Sequence, residues 1–276
     1  MNNVVVRSIS GVVFILARLA CLMFNKFLFA GLIIFIMSVM LLEFYHITMG
    51  NSYTFSKVLA IIAAIFLFGL LFATASYHIP IRFVAFAMVP IFIVMINSLY
   101  VKDKDEYGKF SNIYTGLLYI AVPIALSNLI AFDKAGNFSG NLLLCFFIII
   151  WCSDVGAFAF GISLGKIFPQ KLFPSVSPKK TWIGFIGGLV SSVLAAFALY
   201  EFGILKFPLI HCLILSFIMS VTGVYGDLFE SQWKRVYGVK DSGKIIPGHG
   251  GFLDRFDSTL MAMPFGAIYL AIFDLL

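Results

Sequence analysis

Apolar residues fall in long unbroken runs along this chain. They form neither the alternation of a half-buried strand nor the one-sided stripe of a surface helix. Nine runs are long enough, or nearly so, to cross a bilayer: about 8–24, 27–46, 58–78, 81–100, 113–132, 141–163, 182–200, 208–226 and 258–276. A spanning helix needs about 20 mostly apolar residues. The pattern therefore predicts an all-α, polytopic transmembrane helix bundle of about nine spans. Tight connections at 24–27 and 78–81 predict antiparallel hairpins. Residues 1–140 read as the N-terminal membrane-spanning helices. Residues 141–276 read as a second membrane-spanning region that carries two polar loops, within a single integrated bundle.

Composition agrees with that reading. The chain is 61% hydrophobic and 12% charged, against about 25% charged in soluble proteins. A net charge of +6 bears on membrane orientation and anionic lipid rather than on nucleic acid. With the N-terminus and the even-numbered connections taken as one side, that side holds fourteen Lys and Arg residues and the other holds four, Lys26, Arg82, Lys134 and Lys206. The bias predicts a cytoplasmic N-terminus. The short N-terminus is compatible with a bacterial inner membrane. Cys21, Cys145, Cys152 and Cys212 lie inside apolar runs and read as small core residues.

Polar chemistry concentrates in one stretch, Tyr225 to Ser258, with five of the thirteen acids and five of the nineteen basic residues. If the eighth helix continues, Asp227, Glu230 and Ser231 share a face. Two carboxylates there suit a hard cation, since magnesium takes few carboxylates along with waters and phosphate oxygens. Spacing is equally consistent with a charged helix end that pairs with Lys234 or Arg235. Lys240 and Lys244 add positive charge. Pro247 to Gly251 cannot form a regular helix, and backbone amides in such turns can line an anion site. His249 sits in that turn, and Asp254, Arg255 and Asp257 follow. No Walker loop and no helix-borne HExxH motif is present.

A second polar loop follows the sixth run. Asp154 is an acid within a long apolar run and points to function by default. Gly156, Gly161 and Gly165 suit either close helix packing or ligand approach. Ser175, Ser177, Pro178, Lys179, Lys180 and Thr181 form a basic corner that suits phosphate oxygens or anionic headgroups. Glu43 and His46 end the second run and read as an interfacial pair.

The run Ser231-x-x-Lys234-Arg235, then Lys240-Asp241-x-Gly243, then Pro247-x-His249-Gly250-Gly251-x-x-Asp254-Arg255-x-Asp257 resembles the signature of phosphatidate cytidylyltransferases. Gly226-Asp227-Leu228-x-Glu230-Ser231 and Ser177-Pro178-Lys179-Lys180-Thr181-Trp182 fit the same family. Agreement extends from about Asp154 to Ser258. Three positions depart from it: Trp233 for an aliphatic residue, Ile183 for glutamate, and Ile162 for a basic residue.

The resemblance implies transfer of CMP from CTP to phosphatidic acid with Mg2+, and leaves room for a second cation. It implies Asp227 and Asp254 as main metal ligands, with Glu230 and Asp257 in support. Lys179, Lys180, Lys234, Arg235 and Lys240 would hold phosphates, and His249 would position one. Asp154, Ser177, Thr181, Ser231, Asp241, Gly250, Gly251 and Arg255 would line the substrate site. CTP, phosphatidic acid and membrane lipids are the expected partners, with no nucleic acid, and a homodimer is compatible with the sequence. The rivals are another CTP-dependent lipid enzyme, such as a polyprenol kinase or a cytidylyltransferase for a different lipid, and a membrane transporter.

Overall fold

The computed structural model describes residues 25–100, 107–243, 245 and 250–276. The first apolar run, Lys244 and His249 lie outside the described residues, as do Arg7, Arg18 and Cys21. Each of the other eight runs is a helix. Among the described residues, seven helices are long and apolar enough to cross a membrane, and an eighth is apolar but shorter. Helices satisfy their own backbone polar groups, which is what lets such runs sit in lipid.

The chain divides into two units, 1–139 with 241–255, and 140–240 with 256–276. The first unit contains α1 (Lys26–Met49), α2 (Thr54–Tyr77), a 3-10 turn (Ile81–Ala87) leading into α3 (Met88–Ser98), and α4 (Tyr107–Gly116). A π-turn over Leu117–Ala121 joins α4 to α5 (Val122–Ala131). Asn25 caps α1 by accepting from the Phe27 amide at 2.7 Å. The predicted hairpin at 78–81 forms through His78, whose φ is +55°, just before Pro80. Phe29, Tyr45, Phe68, Phe110 and Ile113 fill the core. Tyr45 donates its hydroxyl to the Ile113 carbonyl at 3.0 Å. Gly116 makes room for that ring, because a Cβ there would lie 2.6 Å from it. The described residues of 241–255 pack with this unit and end in a 3-10 turn, Leu253–Arg255.

The second unit contains α6 (Asn141–Leu164), a hairpin of β1 (Lys171–Phe173) and β2 (Ser177–Thr181), α7 (Trp182–Glu201), α8 (Leu209–Val236) and α9 (Asp257–Ile272). The hairpin is antiparallel, with Lys171 opposite Thr181 and Phe173 opposite Ser177. Small residues set the helix contacts. A Cβ on Gly156 would strike Ser191 and sit 2.8 Å from the Gly187 carbonyl, so Gly156 serves the α6–α7 contact. Gly226 does the same between α8 and α9, where a Cβ would lie 2.6 Å from the Asp257 carbonyl. The 28 residues of α8 measure about 42 Å, longer than a hydrocarbon core of roughly 30 Å. The helix runs through Asp227 without a break and carries Glu230, Ser231 and Lys234 on the same face. The last helix stops at Ile272, short of the run predicted to Leu276.

Candidate active site

In the second unit the strand register brings Lys180 to the face of α8. Its ammonium lies 2.5 Å from Asp227 Oδ2, with both side chains a little over a quarter exposed. Asp227 Oδ1 accepts from Ser231 Oγ at 3.3 Å. One turn on, Lys234 Nζ lies 2.8 Å from Glu230 Oε2, in a pair that is nearly buried. Asp154 on α6 is hydrogen-bonded to Ser258 and feels the charges of Asp227 and Lys180. Asp257 opens α9, accepts from the Ser258 amide at 2.7 Å, and feels the charges of Asp227, Glu230 and Asp154. Four acids from three helices thus bear on one another.

Of these groups, Asp154, Asp227 and Lys180 border a cavity of about 540 Å³. Asp154, Asp227, Lys179, Lys180 and Thr181 form its polar wall, and Phe158, Ile162, Leu172, Phe185 and Val224 its apolar wall. Gly161 also faces the cavity, with nothing closer than 3.8 Å to a Cβ there; this separates it from the packing glycine Gly156. Thr181 caps α7 and accepts from the Gly184 amide at 3.2 Å, so the positive end of that helix opens onto the same space. Ser177 lies at the start of β2, half-buried. Lys240 is exposed beyond α8, and Arg235 donates to the Val239 carbonyl at 3.2 Å, closing the end of the helix.

The remaining candidates gather in the first unit. Asp254 Oδ2 accepts from the Ser242 amide at 2.8 Å, the Ser242 hydroxyl at 3.0 Å and the Gly251 amide at 2.9 Å. The glycine turn was expected to offer amides to an anion, and the Gly251 amide does serve one: the chain's own Asp254. Gly250 has φ +82°, a conformation that glycine adopts without strain. Arg255 and Asp241 are exposed.

Glu43 is a member of this cluster that the sequence reading missed. It is 6% exposed, whereas His46 is exposed, so the expected interfacial pair gives way to a buried carboxylate. Glu43 accepts from the Leu253 amide at 2.9 Å, the Phe252 amide at 3.1 Å and the Ser242 hydroxyl at 3.1 Å. The available signal was an acid at the end of an apolar run, which calls for a buried partner.

Among the described residues no three His, Cys, Asp or Glu side chains are grouped to ligate one ion by themselves. Magnesium does not need such a group, because substrate phosphates and waters complete its shell. Among the described residues, Asp154, Asp227, Glu230 and Asp257 bear on one another, with Lys180 beside Asp227 and Lys234 beside Glu230. A set of carboxylate oxygens of this kind fits a hard divalent cation.

Comparison with known proteins agrees with the motifs. Phosphatidate cytidylyltransferase of Bacillus subtilis (strain 168) is 41% identical over 182 residues, covering 65% of this chain and 63% of that protein. That of Staphylococcus saprophyticus is 45% identical over 124 residues, covering 45% of this chain and 46% of that protein. That of Staphylococcus aureus (strain COL) is 46% identical over 124 residues, with the same coverage. The chain therefore spans less than two thirds of each of these relatives. The description of the cytidylyltransferase family matches residues 5–273. With nearly the whole sequence matched, the chain belongs to the cytidylyltransferase family.

Proposed function

We propose that this protein transfers CMP from CTP to phosphatidic acid, giving CDP-diacylglycerol and pyrophosphate. The observation that carries the reading is the two-sided cavity. Its polar wall suits phosphate groups, and its apolar wall suits the glycerol and first acyl carbons of a lipid. Ile162, where a basic residue is common in the family, belongs to the apolar wall. The relatives' shared name favours the same substrates.

The chemistry requires two anions to meet. An oxygen of the phosphatidate headgroup attacks the α-phosphorus of CTP. A P–O bond forms there as the bond from that phosphorus to the bridging oxygen breaks, and the electron pair leaves with pyrophosphate. The attacking phosphate is already ionised near neutral pH, so no side chain has to act as a strong base. Lys180 is placed to exchange the Asp227 carboxylate for a phosphate oxygen, and exposed Lys179 adds a second cation on the same wall. The amides at the start of α7 favour negative charge in the same space. Asp227, with Asp154 and Asp257 nearby, would hold Mg2+, which supplies charge neutralisation at the phosphates when bound. Lys234 keeps Glu230 neutralised beside them. The bacterial relatives favour the cytoplasmic membrane, with the site open to cytoplasmic CTP.

The test is an assay of the purified protein with CTP labelled at the α- or γ-phosphate, phosphatidic acid or a polyprenol, and magnesium. Label from the α-phosphate should enter phosphatidic acid, and chelation should lower the rate at least about 100-fold until magnesium is restored. Transfer of the γ-phosphate to the polyprenol would instead identify a kinase. Full activity in chelator would remove the metal.

A further inference from the structure

Buried backbone donors need acceptors. Among the described residues of 241–255, five amides find them in side chains. Those of Ser242 and Gly251 donate to Asp254, those of Phe252 and Leu253 to Glu43, and that of Asp254 to the Ser242 hydroxyl at 3.3 Å. The Ser242 hydroxyl lies 3.1 Å from Glu43 Oε2 and 3.0 Å from Asp254 Oδ2. A hydroxyl has one hydrogen, so it serves one carboxylate at a time and ties the two together.

Two glycines of the segment, Gly243 and Gly251, leave room for the Glu43 carboxylate. A Cβ on Gly243 would lie 2.5 Å from Glu43 Oε1, and one on Gly251 would lie 2.5 Å from Glu43 Oε2. Close approach explains both glycines: Glu43 comes close at Gly243, and the Ser242 hydroxyl together with Glu43 at Gly251.

We propose that Glu43 is a positioning residue for the transfer reaction. Its buried carboxylate fixes the backbone from Gly251 to Asp254 and so holds Asp254 and Arg255 in working geometry. This rests on the reading of the chain as a phosphatidate cytidylyltransferase. Glu43→Gln is nearly isosteric but leaves one acceptor where Phe252 and Leu253 each use one, so an amide group faces a backbone N–H. A buried donor left unsatisfied costs enough to open the loop roughly 10- to 100-fold more often.

The experiment compares the full chain in detergent with Glu43→Gln, Glu43→Asp and Ser242→Ala. It measures kcat and KM for both substrates, melting temperature, and hydrogen exchange at the loop amides. Glu43→Gln should lower kcat/KM roughly 10- to 100-fold, with a raised KM for at least one substrate. Exchange should speed up at Phe252 and Leu253 while the helices stay protected. Glu43→Asp, which keeps both acceptors on a shorter arm, should recover part of the loss.

Wild-type kcat/KM in Glu43→Gln would overturn the proposal. So would a loss that follows unfolding alone, with KM unchanged and exchange raised throughout. If Glu43→Gln is not recovered folded, Ser242→Ala decides, and wild-type kinetics there overturn the proposal. A wild-type protein that transfers no CMP would sink the functional reading and this inference with it. An active wild type beside an unaffected Glu43→Gln would sink the inference alone.

Discussion

Two groups of carboxylates serve different ends in this chain. Around Asp227, the carboxylates of Asp154 and Asp227 border a cavity, and Asp227 and Glu230 pair with lysine side chains, with Lys180 still partly exposed. Around Glu43 and Asp254 the partners seen among the described residues include four backbone amides and one serine of the loop they shape. A lysine can let go of a carboxylate when a phosphate arrives. A backbone amide cannot do so without deforming the loop. The same functional group is therefore exchangeable in one region and architectural in the other, and the partner decides which.

Breaking the exchangeable side should cost most. Asp227→Asn removes the charge that faces Lys180 and belongs to the proposed cation site. Turnover of CTP should fall by more than about 1,000-fold, with the melting temperature in detergent little changed. A variant that retains a tenth of wild-type activity would take Asp227 out of the reaction.

Asp254→Asn tests whether the architectural side is only that. The amide oxygen of asparagine can still accept from Ser242 and Gly251, so the loop keeps most of its hydrogen bonds. The resemblance nonetheless places this acid among the metal ligands. We expect a loss of about 100-fold at saturating substrate, partly relieved by raised magnesium. A loss below about 10-fold, unaffected by magnesium, would confine Asp254 to holding the loop.

What the sequence revealed about each region follows from how far apart the partners lie. The helices were legible because each is a local apolar run, and the described residues bear helices at eight of the nine. The continuation of α8 to Val236 was not legible from apolarity, since the run ends at Gly226 and the last turns are polar. Asp227 and Lys180 could be singled out by residue type, but they are 47 positions apart, and only the β1–β2 hairpin and α8 bring them together. Glu43 was harder still. Its partners are 199 to 210 positions away, and an acid at the end of an apolar run calls for a partner without saying which one. The glycine run that ends at Gly251 announced a close approach, but a sequence cannot say whether a ligand or a side chain comes close.

Thr181 carries the smallest expected effect and asks the same question at one residue. The resemblance puts it at the substrate, and it does border the cavity. Its oxygen nevertheless accepts from the Gly184 amide as the N-cap of α7, a local bond with an architectural partner. Loss of such a cap costs ~1 kcal/mol, or about 2–4 °C in melting temperature for a chain of this size. Thr181→Ala should show that shift with activity within about twofold at temperatures where the protein stays folded, and Thr181→Ser should restore the melting point. A tenfold loss of activity with no change in melting would mean that the hydroxyl leaves its cap to meet substrate. Thr181 would then move from the architectural to the exchangeable class, and the amides at the start of α7 would become available to phosphate at the moment substrate binds.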